Sequence, residues 1–127
     1  MWEVSVPITV QVSKHKRWSL NLNQYRNTHH QTLAKAKIKF AAIVHPLLIG
    51  IPYITKARIS YILYPGTAAE CDVANVCSIV DKFFSDVLVS AGKLPDDNYK
   101  FLVATAYGFG EIDRINPRVD VIIEALS

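Results

Sequence analysis

Three aspartates and one lysine pose the chemical question. Asp72 stands at the entrance to a helical stretch, Lys82 falls inside it, and Asp96 and Asp97 follow just past Gly92, in "CDVANVCSIVDKFFSDVLVSAGKLPDDN". A helix of that length is about 28 Å long, so Asp72 and the Asp96–Asp97 pair stand at opposite ends of it. A second copy packed antiparallel would let them share a site, which predicts a homodimer if the aspartates cooperate; the alternative is that the loop after Gly92 leads back, which four or five residues do only in part. Each feature also has a plain reading. Asp72 suits a helix start, and "PDDN" is an ordinary turn composition.

Charge along the chain raises the stakes for those acids. Residues 1–60 carry nine basic side chains against Glu3 alone, and residues 61–127 carry five against ten acids. A polyanion-binding face beside an acidic cluster is how a nuclease must be built. Interleaving of the two halves in space, giving a mixed surface, is the alternative.

The elements that must position these groups follow from periodicity. With 127 residues, half of them hydrophobic, the chain suits one domain over residues 1–127 with one modest core. No apolar run reaches membrane-spanning length, and "MWEVSVPITV" reads as a strand rather than a signal peptide. Cys71 and Cys77 read as a reduced pair in a cytosolic protein. Alternation at Val4, Val6, Ile8, Val10 and Val12 predicts one strand from Glu3 to Val12 with Pro7 at an edge or bulge. "SKHKRWSLNLNQYRN" predicts an irregular functional loop. Thr28 is the expected N-cap of a helix reaching Val44, with Leu33, Ala36, Ile38, Phe40, Ile43, Val44 and Leu47 on its apolar stripe and Lys35 and Lys39 on another face.

A strand is expected from Lys56 to Tyr64. A helix then runs from about Val73 to Ala91, with Val76, Val80, Phe83, Phe84, Val87 and Leu88 buried and Asn75, Ser78, Lys82 and Asp86 on a polar stripe. Gly92 is its natural C′ residue. "YKFLVATAYGF" and "RVDVIIEAL" supply two last strands. The predicted class is α+β in the order β-α-β-α-β-β, a mixed sheet of about four strands with two main helices packed on it.

The block from Cys71 to Asn98 resembles the RusA family of Holliday-junction resolvases, found largely in phages and prophages. The family pattern is an Asp-x-Asp-Asn run opening a helix, a lysine on that helix, then "DAL…AG" and "DD". Asp72, Asn75, Lys82, "DVLVSAG" and Asp96–Asp97 match it in order. "SLNLNQYRN" (19–27) is similar to the family's Ser/Asn-rich loop. The resemblance implies a homodimer that cuts branched DNA with Mg²⁺, or Mn²⁺ in its place, in a bacterial host cytoplasm during recombination and repair. Asp72, Asp97 and the auxiliary Asp96 would hold the metal, a hard cation that bridges to phosphate. Lys82 would stabilise charge on the phosphorane or orient water. Lys14, Lys16, Arg17, Asn21, Asn23, Arg26, Lys35, Lys39 and Asn75 would contact DNA.

Ala74 departs from the pattern, standing where the family has its second aspartate. Three readings follow: another acid such as Asp96, Glu70 or Asp81 substitutes, the protein binds junctions without cleaving them, or the position is an inactivating change. A phage protein that inhibits a host enzyme is a reading from a different class. His15, His29, His30 and His45 are expected on the surface near DNA. Trp18 and Tyr25 would either stack on an unpaired base or anchor their loop to the core, the latter preferred.

Overall fold

The structure, a computed structural model, describes residues 1–126. Its frame is a mixed four-stranded sheet in the order β1-β6-β4-β5, formed by β1 (Trp2–Val6), β4 (Ala57–Tyr64), β5 (Leu102–Phe109) and β6 (Arg118–Ala125). β6 runs antiparallel to both β1 and β4, whereas β4 and β5 are parallel. That parallel pair needs a crossover, and the helix α3 (Val73–Ser90) supplies it. The α+β class and the four-stranded sheet are as expected; the element order is richer.

The strand expected over 3–12 is two strands. Pro7 has no N–H to give a ladder and the chain turns there, so β1 pairs with β6 while β2 (Thr9–Ser13) leaves the sheet. β2 instead forms a hairpin with β3 (Lys16–Ser19), inside the segment expected to be irregular. The rest of that segment holds a short helix, α1 (Leu22–Asn27), whose N-cap Asn21 accepts from the Gln24 N–H at 2.8 Å. Thr28 caps nothing at the start of the next helix, α2 (His30–Val44); it closes α1, and His29 Nδ1 accepts the Gln31 N–H. Thr28 Oγ1 is occupied by the Trp18 indole N–H at 2.8 Å.

Burial on α2 is narrower than the expected stripe. Ala36, Phe40 and Val44 are buried, but Ile38 and Ile43 face out, as does Leu47 in the 3-10 turn His45–Leu48 that follows. On α3 the expected set holds with Cys77, Ile79 and Ser85 added and Val76 only partly covered. The helix ends as its glycine requires. Gly92 takes φ +72°, and its N–H and that of Lys93 reach the Val89 and Leu88 carbonyls, closing the orphan acceptors of the last turn. The core lies between one face of the sheet (Val4, Val6, Ile59, Tyr61, Leu63, Val119, Val121, Ile123) and α2, α3 and the hairpin. Trp18 is fully buried and stacked on Phe83 at 5.6 Å, so it anchors its segment.

Behind the sheet, Arg118 fastens the 110–117 loop. Its guanidinium meets Asp113 and Asp120 at 2.9 Å each and covers the Tyr64 ring at 4.1 Å. Both cysteines are free, Cys71 exposed and Cys77 buried. Among the described residues, no helix is long and apolar enough to cross a membrane.

Candidate functional site

The two segments that carry the family resemblance lie against each other. Asn75, in the first turn of α3, accepts the Leu22 N–H through Oδ1 at 3.0 Å. That N–H is one of the orphan donors at the start of α1, so Asn75 fixes where α1 sits. One α1 turn further on, the Tyr25 ring lies under Lys82 Nζ at 5.9 Å. Lys82 is thereby held on the polar side of α3, away from the sheet.

Tyr25, Lys37, Lys82, Asp86 and Asp97 line one polar cleft of about 170 Å³. α3 contributes Lys82 and Asp86 one turn apart, α2 contributes Lys37, and the chain beyond Gly92 folds back to bring Asp97. Burial raises the Asp97 carboxyl above the ordinary carboxylate range, and Asp96 and Asp86 push it further the same way. Asp96 is lowered, chiefly by the Asp97 backbone N–H donating to it at 2.8 Å and then by Asn98. The pair therefore divides labour: Asp96 caps its own turn and Asp97 faces the cleft. Two ammonium groups across from that carboxylate can hold a phosphate.

Asp72 does not join them. It is the N-cap residue of α3, exposed and without a side-chain cap bond, and α3 separates it from Asp97. Ala74 is exposed and brings no donor atom. Among the described residues no three His, Cys, Asp or Glu side chains gather as a metal cage. A single chain thus does not bring Asp72, Asp96 and Asp97 together as the ligand set expected of it.

Asp81, considered above as a substitute ligand, serves the fold. Its carboxylate accepts from Tyr61 Oη and Ser85 Oγ at 3.0 Å and from Tyr107 Oη at 2.8 Å, tying α3 to β4 and β5. Glu70 is exposed in the turn before α3.

The basic groups fall into two sets. Lys14, at the hairpin turn, and Lys39, on α2, line one shallow groove with Gln11 and Ser13, while Lys37 and Lys82 line the cleft. Lys16, Arg17, Arg26 and Lys35 are exposed, and Arg17 donates to Thr9 Oγ1 at 2.6 Å. Asn21 and Asn75 are engaged internally, and Asn23 accepts from Asn27. His15, His29, His30 and His45 are exposed. No local spacing relates α1, α2 and α3, so the sequence alone does not pair Lys37 and Tyr25 with Lys82. Comparison with family models and with curated proteins returned no match.

Proposed function

We propose that the protein is a RusA-like, homodimeric endonuclease that nicks branched DNA with a divalent metal. One observation carries this reading. The 19–27 segment and the 72–97 segment, remote in sequence, meet through Asn75–Leu22 and Tyr25–Lys82 to make a cleft whose polar groups are two lysines and two aspartates. Bound metal would supply water activation and charge neutralisation at the scissile phosphate. The chain's own residues bind and orient: Lys82 and Lys37 hold a phosphate, Tyr25 fixes Lys82, and Lys14, Lys39, Lys16 and Arg17 carry the flanking backbone. Asp72 and Asp97 complete the acidic set only between two chains.

The test is a labelled four-way junction incubated with the protein and Mg²⁺ or Mn²⁺. Paired nicks that vanish on Asp97→Asn and on Asp72→Asn, and fall at least about tenfold on Lys82→Ala, are the expected result. Nicks that persist in both aspartate variants sink the reading. Ala74 favours a second one, a junction-binding protein without cleavage. Tight binding without nicks, with cutting gained on Ala74→Asp, would support that instead.

A further inference from the structure

We propose that the apolar groove along the seam of α2 and α3 is a base-binding subsite, taking the unstacked base of the nucleotide whose phosphate lies between Lys37 and Lys82. The place of the phosphate rests on the nuclease reading; the groove itself stands on how the two helices pack. It measures about 240 Å³ and its lining is mostly carbon. Ile38 and Ala41 of α2 form one wall, Val87 and Ser90 of α3 the other, and Phe83 lies at the floor. The single methyl of Ala41 leaves space that a larger side chain would fill, and Ile38, 67% exposed, gives the rim its height.

The groove opens into the polar cleft. Lys37 and Asp86 line both, and Tyr25, Lys82 and Asp97 complete the cleft alone. Lys37 Nζ stands 6.0 Å from the Phe83 ring centre, so its methylene stem serves the groove while its charge serves the cleft. Asp86, exposed at the join, repels an anion from the apolar half and leaves the Lys82 end for phosphate. Along α3, Lys82, Asp86 and Ser90 recur every four residues, which spreads the two compartments over about 12 Å.

A ligand that fills both has an anionic end, a short spacer and a flat apolar end. A nucleotide has that form, and every base offers a π-face whatever its sequence. Inorganic phosphate fills the cleft alone; an apolar helix fills the groove but gains nothing from the lysines. A base held here has left its stack. At a branch point the stack is already broken, whereas continuous duplex must be opened first. The groove thus favours branched over linear DNA at each bound phosphate.

Thymidine 5′-monophosphate, deoxyribose 5-phosphate and inorganic phosphate, titrated without metal into the intact chain and followed by amide NMR, separate the two compartments. Covering about 60 Å² of base surface is worth about tenfold in affinity. The nucleotide should therefore bind about tenfold tighter than the sugar phosphate, and it alone should shift the amides of Ile38, Ala41, Val87 and Ser90. Ile38→Ser, at an exposed position, should remove most of that difference and leave the sugar phosphate unaffected. Ala41→Leu fills the groove and should do the same with an unchanged circular dichroism spectrum. Lys82→Ala should weaken all three ligands. No nucleotide binding, equal affinity for nucleotide and sugar phosphate, or a difference that Ile38→Ser leaves intact overturns the proposal.

On a four-way junction, removing the base on either side of the nicked phosphate should slow nicking about tenfold in the wild type and little in Ile38→Ser. Nicking that ignores the missing base refutes the groove and leaves the nuclease reading intact. The stated nucleotide binding in a protein that never nicks refutes the nuclease reading alone.

Discussion

Removing the Asp81 carboxylate is the most direct test of how α3 is fixed to the sheet. Asp81→Ala strips the acceptor from Tyr61 Oη, Ser85 Oγ and Tyr107 Oη. Tyr61 and Ser85 are buried, whereas Tyr107 is 38% exposed and can turn to water. Each buried donor left unpaired costs about 1–3 kcal/mol, so the two together cost about 2–6 kcal/mol, centred on ~4 kcal/mol. Asp81→Asn keeps a carbonyl acceptor and should cost about half as much. Tyr61→Phe removes donor and acceptor need together. In that background Asp81→Ala should cost less by about 1.5–2 kcal/mol, the worth of a hydrogen bond to a charged group. Urea unfolding at one fixed protein concentration, followed by tryptophan emission from buried Trp18, measures the wild type and these variants. With a slope of about 1.5 kcal/mol/M a loss of ~4 kcal/mol drops the Asp81→Ala midpoint by about 2.7 M. A coupling below about 0.5 kcal/mol would mean that Tyr61 Oη does not depend on this carboxylate, and the argument fails.

Cys77 gives a pH dependence. Burial first, then Asp81, pushes its thiol from 9.0 to about 12. The unfolded thiol ionises first, so the stability is full below pH 9 and falls as pH rises towards 12, by about 1.4 kcal/mol per unit. Urea midpoints taken from pH 8 to 10 should fall less steeply in Cys77→Ala. Tyr61 and Tyr107, both raised above 10.0 chiefly by burial, add loss of the same sign above pH 10. Asn75→Ala frees the Leu22 N–H and should lower stability by about 1 kcal/mol, with hydrogen exchange fastest at 20–28; uniform exchange would refute the anchoring role. Gly92→Ala forces a side chain to φ +72° although nothing crowds the site, costing about 1 kcal/mol in the same unfolding assay. An unchanged midpoint would contradict the Schellman assignment.

What the sequence revealed depended on how long each pattern runs. α3 shows five turns of stripe and a terminal glycine, so its limits, its buried face and the end-to-end separation of Asp72 and Asp97 were legible. β4 alternates over eight residues with Ala57, Ile59, Tyr61 and Leu63 inward, and was legible too. The hairpin was not. β3 has four residues with one inward side chain, Trp18, and the turn at Lys14–His15 lacks the Asn-Gly signal of a tight hairpin. α1 is shorter than two helical turns, too short to show a period, and its cap Asn21 and tether Asn75 looked like groups awaiting DNA. Their use is visible only once α1 meets α3. Asp81 was ambiguous for a related reason: the three hydroxyls that claim it come from α3, β4 and β5.

A homodimer in which Asp72 of one chain meets Asp97 of the other fixes one further length. Sites made from the start of one α3 and the end of the other lie about one helix apart, and 18 residues at 1.5 Å each give roughly 27 Å. The grooves of B-DNA are about 12 and 6 Å wide, so no two phosphates facing each other across a single groove reach both sites. A branched substrate separates its opposed strands and can fill both; a linear duplex fills one at a time. The expected outcome is paired nicks on four-way junctions and, on linear duplex of the same sequence, no double-strand breaks. A gel showing short-stagger breaks in linear duplex at comparable rates would rule out two sites at this separation, and with it an acidic set shared between the ends of two α3 helices.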